Sequence, residues 1–391
     1  MAVPASILSA IEHEGGRVAF ARFMELALTE PAAGYYTTNE TVIGRRGDFT
    51  TAPERSRAFP VYLSRILRQL VAGFFRVAPG RPPLILELGA GGGDLSAGIL
   101  AEWQAEEPGL RDRLLYRTLD VSPVLRRQQE ERLAPYRELG WDVRVLEELS
   151  SLDFPGVAFS NELVDALPVH LLRVERDLRE VWVEPDERGE LHQVLAEPTE
   201  AALEEAELLF GSVEAEVLSG HSRDGWIELR PALAGLMERL SGALGSDACL
   251  LTIDYGEWLA GPQLGETAGP EAGLAAPPPG VPHGRSVRAY FKHQRMADLT
   301  ALAGKQDLTA DVDFRALDLH GSRYGFHRLL LTSLAAFLAS LGAREDLEAG
   351  RREQRDSYDF GRDIQLCTLA ALLDENDVGG LFKVMIQVRE T

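Results

Sequence analysis

The chain has 391 residues, 45% of them apolar, with a net charge of −21 and a pI near 4.9. An acid excess of this size argues against nucleic acid and anionic membrane as partners, because both need a basic surface, and leaves a basic protein partner compatible. The two cysteines, Cys249 and Cys367, each sit in an apolar run, so neither a disulfide framework nor a metal site is expected. No apolar run approaches membrane-spanning length, so no membrane insertion is expected, and the length suits one elaborated domain with a smaller one beside it.

Residues 7–28 carry apolar groups at helical spacing, and Gly15-Gly16 divides them into two helices. Residues 34–54, rich in glycine, threonine and charge, read as a loop that covers a ligand, which closes an N-terminal region over 1–58. A helix over 59–75 opens the core, which extends to 256. The run Pro83-Leu84-Ile85-Leu86-Glu87-Leu88-Gly89-Ala90-Gly91-Gly92-Gly93-Asp94 then reads as a buried strand, a glycine turn and the start of a helix, the form of a nucleotide pocket. Asp94 stands where the dinucleotide fingerprint wants Gly or Ala, and no Lys or Arg occurs between Leu84 and Leu110, so NAD and a P-loop phosphate both fit poorly. Glu87 in the strand, Asp94 at the helix start and glycines that admit a ligand to the backbone suit a cationic ligand instead. S-adenosylmethionine, a sulfonium with an α-amino group, is such a ligand.

After a helix over 95–107, the strand 114–119 ends in Asp120, where nucleotide folds place the ribose-binding acid. Strands follow near Val143 and over 157–160, the latter ending in Asn161. A hairpin over 171–174 and 180–183, an acidic helix over 199–210 and a helix over 229–244 lead to a fifth strand, 248–254, which Gly256 ends. Residues 257–287, with Pro277-Pro278-Pro279, form a Gly/Pro-rich loop. Residues 288–374 read as a helical accessory domain with 329–341 as its clearest amphipath, and 375–391 supply a closing strand that returns to the core sheet.

Two strings, Asp120-Val121-Ser122-Pro123-Val124-Leu125-Arg126-Arg127-Gln128-Gln129 and Asn161-Glu162-Leu163-Val164-Asp165-Ala166-Leu167-Pro168-Val169, resemble the MidA family of S-adenosylmethionine-dependent methyltransferases. The resemblance continues over 20–28, 31–36 and 47–54 upstream and over 253–256, 288–290, 306–314 and 381–384 downstream, nearly the whole chain. It implies an α/β fold, a class I Rossmann-like methyltransferase sheet with an additional mainly helical domain, and S-adenosyl-L-methionine as cofactor. It also implies methyl transfer to a protein side chain, arginine foremost, as in the mitochondrial complex I assembly factor of this family, which makes symmetric dimethylarginine. An arginine-containing protein substrate such as a respiratory complex subunit, a homodimer and a bacterial cytoplasmic location without a leader complete the expectation. Glu87, Gly89, Ala90, Gly91, Gly93, Asp120, Val121 and Asn161 are the expected cofactor residues, with Asp48 and Phe49 covering it. One position departs from the family pattern: Asp311 stands where a histidine is expected, so no role of that imidazole carries over.

A guanidinium has a pKa above 12 and a delocalised lone pair, so carboxylates must orient it and gather its charge away from the reacting nitrogen. Glu162 and Asp165 leave the fourth strand beside the pocket, and their spacing puts both on one face if a helical turn follows; the alternative is that they cap that helix. Asn161 can hold an acceptor N–H or the cofactor amine. Asp254 and Tyr255 face the same sheet edge, as site or as core and capping groups. His170 and His293 are available as proton acceptors or are ordinary histidines. Two further functions stay open: methylation of a small molecule or another side chain, and a cofactor-binding assembly factor or chaperone.

Overall fold

All five residues of β1 (Leu84–Leu88) are buried, the pattern of a strand covered on both faces in a largely parallel sheet. Leu84, Leu86 and Leu88 enter one hydrophobic cluster and Ile85 the other, so the period of two divides β1 between two layers. In the computed structural model, which describes residues 2–38, 58–77, 80–149, 152, 154–259, 284–292 and 294–390, six further strands join this sheet in one path, and the two-residue strand Val312–Asp313 pairs beside residues 256–257. The six are β2 (Leu115–Leu119), β3 (Val143–Leu146), β4 (Gly156–Asn161), β5 (Ala248–Glu257), β6 (His327–Ser333) and β7 (Phe382–Arg389). The order is β6-β7-β5-β4-β1-β2-β3. The pairs from β3 to β5 are parallel, whereas β7 runs antiparallel to both β5 and β6. The order reverses between β1 and β4, and the carboxyl ends of strands around such a switch point open into a ligand crevice. This is the class I Rossmann-like sheet.

Helices Phe59–Val77, Asp94–Glu106, Leu334–Ser340, Ala343–Asp356 and Phe360–Leu372 cover one face through Tyr62, Trp103, Phe337, Leu347 and Leu369. Helices Glu200–Phe210, Ala232–Ala243 and Phe314–Arg323 cover the other. A second sheet, Val18–Ala19, Leu178–Pro185, His170–Val174 and Trp226–Leu229 with Leu191–Ala196 beside it, packs against the N-terminal helices Ala5–His13 and Phe20–Thr29. A three-stranded sheet of Arg288–Phe291, Gln294–Met296 and Asp307–Thr309 adds Ala289 and Leu308 to the same core.

Three local expectations change. Leu229 ends a strand, and the helix starts only at Ala232, beyond Pro231. Gly256 does not end β5: it pairs with Val312, and a Cβ there would lie 2.1 Å from the Val312 carbonyl oxygen, so the glycine serves close strand approach. The helical character expected over 288–374 holds for 334–340, 343–356 and 360–372, but 288–333 supplies the small sheet, a helix and β6. The apolar run at 329–341 is therefore two elements. Its first part pairs with β7, and the Ser333 side chain accepts from Ala336 N at 3.1 Å, which starts a helix where the strand ends. Of the Gly/Pro-rich stretch, residues 260–283 lie outside the described residues, as do 39–57 of the covering loop.

Candidate functional site

The turn after β1 holds Gly89, Gly91 and Gly93 at φ +65°, +54° and +82°, the left-handed region that side chains other than glycine rarely adopt. Gly89 N donates to Leu119 O at 2.8 Å, so the turn is tied to the end of β2. There the Asp120 carboxylate accepts from Gly91 N at 3.1 Å and from Ser122 N at 2.9 Å. Burial pushes this carboxyl up to about 6 although both backbone donors pull it down. Val121, the next residue, is 64% exposed, unusual for a valine among so many buried neighbours. The Ser122 hydroxyl donates to Tyr36 O at 2.6 Å, and Tyr36 OH donates to Asp307 at 2.7 Å, which ties the N-terminal region to this strand end and to the small sheet. Asp48, Phe49 and His293 lie outside the described residues.

Glu87 and Asp94 do not face a ligand as free charges. Glu87 is inside the core, where it accepts from the hydroxyls of Ser96 and Tyr116, and burial pushes it up to about 7. Asp94 is paired with Arg132, whose Nη1 also donates to Gly92 O at 2.5 Å. Sequence reasoning missed Arg132 and the role of Gln129, which donates to Gly91 O and accepts from Thr118, both at 2.7 Å. Both come from helix Pro123–Glu138, remote in sequence from the turn. A glutamine in line with Leu125 and Leu133, four residues from each on one helix face, was the available signal.

A pH prediction follows from Glu87. Its native carboxyl holds a proton to about pH 7, whereas the unfolded one releases it near 4.5, so the native state binds more protons between these values and loses stability as pH rises through them. The full difference is roughly 3 kcal/mol above pH 7, at about 1.4 kcal/mol per pH unit. Glu87→Gln keeps an oxygen for both hydroxyls, so its melting temperature should fall less than that of the wild type from pH 5 to 8. Parallel pH–Tm curves would show that Glu87 is ionised throughout.

Beyond β4 no helical turn forms, so Glu162 and Asp165 neither share a helix face nor cap a helix. Glu162 stands at φ +50° with its N–H donated to Ile253 O at 3.0 Å. Asp254 fixes the turn: its carboxylate accepts from Val164 N at 2.9 Å and Asp165 N at 3.3 Å, and from Tyr255 N at 3.0 Å. Tyr255 OH donates to Oδ2 of Asp165. Among the described residues, Oδ1 of Asp165 and Oδ1 of Asn161 are buried without a hydrogen-bond partner. Each of these oxygens can take a donor that the fold itself does not supply. Burial raises the pKa of both Asp165 and Asp254, Asp254 well above the usual carboxylate range with the Asp165 charge beside it.

Two arginines offset this acid. Arg230 donates to the carbonyls of Leu167, Asp311, Asp165 and Ala310 at 3.0–3.5 Å. Arg288 lies 5.0 Å over the Tyr255 ring and is paired with Asp311, so the residue that departs from the family pattern holds a cation. Glycine turn and 161–167 turn adjoin, since a Cβ on Gly89 would lie 2.8 Å from Leu163 Cδ1. His170 is engaged with Glu180 at 2.6 Å and Thr199 at 3.3 Å rather than with either turn. Among the described residues, no group of three or more His, Cys, Asp or Glu side chains is arranged to hold a metal, and no helix is long and apolar enough to cross a membrane.

The sequence model of a family of S-adenosyl-L-methionine-dependent methyltransferases matches residues 66–332, more than half of the chain. The chain is 27% identical over 333 residues to mouse (Mus musculus) protein arginine methyltransferase NDUFAF7, mitochondrial, which covers 77% of this chain and 66% of the relative. The zebrafish (Danio rerio) protein of the same name is 25% identical, covering 77% and 68%. The chain thus spans about two thirds of the length of these relatives. A crystal structure of a protein from Burkholderia thailandensis bound to S-adenosyl-homocysteine superposes with a TM-score of 0.77 at 27% identity, over 98% of this chain and 91% of that one. A native crystal structure from the same organism gives 0.74 at 26% identity over the same shares.

Proposed function

Since the chain belongs to the MidA family of S-adenosyl-L-methionine-dependent methyltransferases, we propose that it methylates a protein side chain, and that this side chain is arginine. The observation that carries the reading is the 161–167 turn, where Asp165 and Asn161 hold open, buried acceptor oxygens beside the glycine turn. Donors are what these oxygens lack, and a guanidinium is a planar array of donors.

The residues fit the cofactor. Glycines 89, 91 and 93 and Ala90 give backbone access for its amino-acid end, Asp120 accepts from its ribose, Val121 offers apolar surface to its adenine, and Asn161 accepts from its amine or from an acceptor N–H. Glu87 supports the turn from below through Ser96. The cofactor supplies an electrophilic methyl on a cationic sulfur. A guanidinium nitrogen forms the new N–C bond as the C–S bond breaks with its electron pair staying on sulfur, and the acceptor nitrogen releases a proton. Asp165 is placed to orient the guanidinium and to take that proton, because burial makes its carboxylate a better base than an exposed one. Glu162 follows Asn161 directly and flanks the acceptor. In-line positioning of the nitrogen and the methyl supplies most of the rate.

Asp120→Ala should weaken cofactor binding by roughly 1.5–3 kcal/mol, the range for hydrogen bonds to a charged group. Wild-type affinity should rise as pH increases through about 6, where the buried carboxyl ionises and can accept both ribose hydroxyls, and Asp120→Asn should remove that rise. Calorimetry from pH 5 to 8 measures both; a flat wild-type profile would place Asp120 away from the ribose.

To test the reading, a bacterial lysate is split by dialysis, and S-adenosylhomocysteine release by the enzyme is measured with each fraction. The protein fraction should support turnover. Turnover with the small-molecule fraction alone would replace a protein acceptor by a metabolite.

A further inference from the structure

The strings 31–36, 288–290 and 306–314 are far apart in sequence, and neither the glycine turn nor the 161–167 turn contains them. The fold brings them together against the second of these turns. Strands Arg288–Phe291 and Asp307–Thr309 pair antiparallel, with Arg288 opposite Thr309, Ala289 opposite Leu308 and Tyr290 opposite Asp307. Ala289 and Leu308 enter the core around the N-terminal helices, so strand alternation sends Arg288, Tyr290, Asp307 and Thr309 to the other face of the small sheet. That face is polar, yet it is covered: Asp307 is 3% exposed and Thr309 1%.

Its cover is the 161–167 turn and the groups around it. Ala310 N donates to Asp165 O at 3.0 Å, which fastens the strand end to the turn. Arg288 lies over the ring of Tyr255, whose hydroxyl donates to Asp165. Tyr36 OH donates to Asp307 at 2.7 Å, and burial, followed by the charges of Asp307 and Asp165, raises its pKa well above the usual value, so this hydroxyl is close to both carboxylates. Thr309 therefore stands in the middle of a row, with Asp307 and its partner Tyr36 on one side and Asp311 and its partner Arg288 on the other. Both outer partners border Asp165 or Tyr255.

Arg288, Asp307 and Asp311 are all engaged within the chain. Oγ1 of Thr309 is not: among the described residues it has no hydrogen-bond partner. A hydroxyl so placed has left water without gaining a bond from the fold. Strand packing does not ask for it either, since valine has the same shape and suits a strand as well. What the hydroxyl shares with Oδ1 of Asp165 is an open place beside one turn.

We propose that Thr309 is a contact residue for the methyl acceptor: its hydroxyl accepts one N–H of the acceptor side chain from the small sheet, while Asp165 stays on the nitrogen that reacts. The assignment rests on the arginine reading of the 161–167 turn. A guanidinium held at two of its nitrogens cannot turn in its own plane, which fixes the reacting nitrogen toward the methyl. The Thr309 contact is present before the methyl moves and persists while it moves. It therefore strengthens binding without favouring the transition state, unlike Asp165.

The test follows S-adenosylhomocysteine release against rising concentration of the protein fraction of a bacterial lysate, for the wild type, Thr309→Val and Thr309→Ser. Valine keeps the shape and drops the hydroxyl, whereas serine keeps the hydroxyl and drops the methyl. Thr309→Val should raise the apparent KM about tenfold or more, the loss of a hydrogen bond to a charged group, with kcat within about twofold of the wild type. Its melting temperature should equal or exceed that of the wild type, because the group removed is a buried hydroxyl without a partner. Thr309→Ser should keep the wild-type KM while its melting temperature falls, because a buried methyl is lost. Stability and KM then move in opposite senses, which a purely structural role does not produce. S-adenosylhomocysteine affinity should stay at the wild-type value in both variants. A wild-type KM in Thr309→Val, or a raised KM accompanied by a lowered melting temperature, overturns the proposal. Mass spectrometry of the labelled product keeps the two readings apart. If the wild type marks arginine and Thr309→Val leaves KM unchanged, the Thr309 contact fails and the arginine reading stands. If the wild type marks another residue and KM still rises in Thr309→Val, the arginine reading fails and the contact stands with the N–H of that residue.

Discussion

Gly91→Val should abolish S-adenosylmethionine binding, a loss of at least a hundredfold in affinity, while the circular dichroism of the protein stays that of the wild type. Gly91 stands at φ +54°, where a β-branched side chain is a genuine outlier, so the turn must shift to admit valine. The shift cannot be local. The Gly91 N–H is held by Asp120 and its carbonyl by Gln129, so the turn, the Asp120 carboxylate and helix Pro123–Glu138 move together. Gly93→Val should act alike, since its φ is +82° and a Cβ would meet Gln129 Cγ at 3.3 Å. The sheet beneath depends on the buried strands rather than on the turn, which is why the fold survives. Calorimetry gives the answer, and wild-type affinity in both variants would remove the ligand from this turn.

The second large effect belongs to Asp165. Asp165→Asn keeps the side-chain size and the Tyr255 contact but removes the charge proposed to orient a guanidinium and the site proposed to take its proton, so turnover should fall ~10²- to 10⁴-fold, the range for a positioned general base. S-adenosylhomocysteine affinity should change little, because the carboxylate matters only as the acceptor's charge is localised. Glu162→Gln should lower turnover in the same direction. Asp254 supplies the contrast. Asp254→Ala removes the acceptor of three backbone N–H groups, so it should lower the melting temperature together with turnover. If Asp165→Asn instead loses cofactor affinity, Asp165 belongs to the cofactor shell, and full activity would make it a fold-locking group.

The central sheet was legible because its strands are continuous apolar runs bounded by special residues: Gly89 after Leu88, Asp120 after Leu119, Asn161 after Ser160. Such runs admit few alternatives at their length. The closing strand was legible too, since Phe382–Arg389 pairs with β5 as its apolar run suggests, but the stretch between residues 256 and 375 was not, because its short strands take their meaning from partners far away in sequence. Residues 329–333 look like the start of an amphipathic helix until β7, some fifty positions later, pairs with them. The candidate site divides in the same way. Glycines 89, 91 and 93 and Asp120 could be placed from local pattern, because their task is set by backbone conformation and strand ends. Glu162 and Asp165 could be named but not arranged. The turn that carries them is fixed by Asp254, roughly ninety residues on, and without that carboxylate a helix was the natural expectation. Glu87 misled for a different reason: an acid within a buried strand reads as a ligand contact, yet the hydroxyls of Ser96 and Tyr116 had already claimed it.

The amino-acid identity of the methylated residue tests the central claim most directly. The enzyme is incubated with methyl-labelled S-adenosylmethionine and lysate protein, the product is digested, and the labelled residue is located by fragmentation mass spectrometry. The label should lie on arginine and should be lost with Asp165→Asn. A label on any other residue, formed by the wild type and lost in that variant, would contradict arginine as the acceptor.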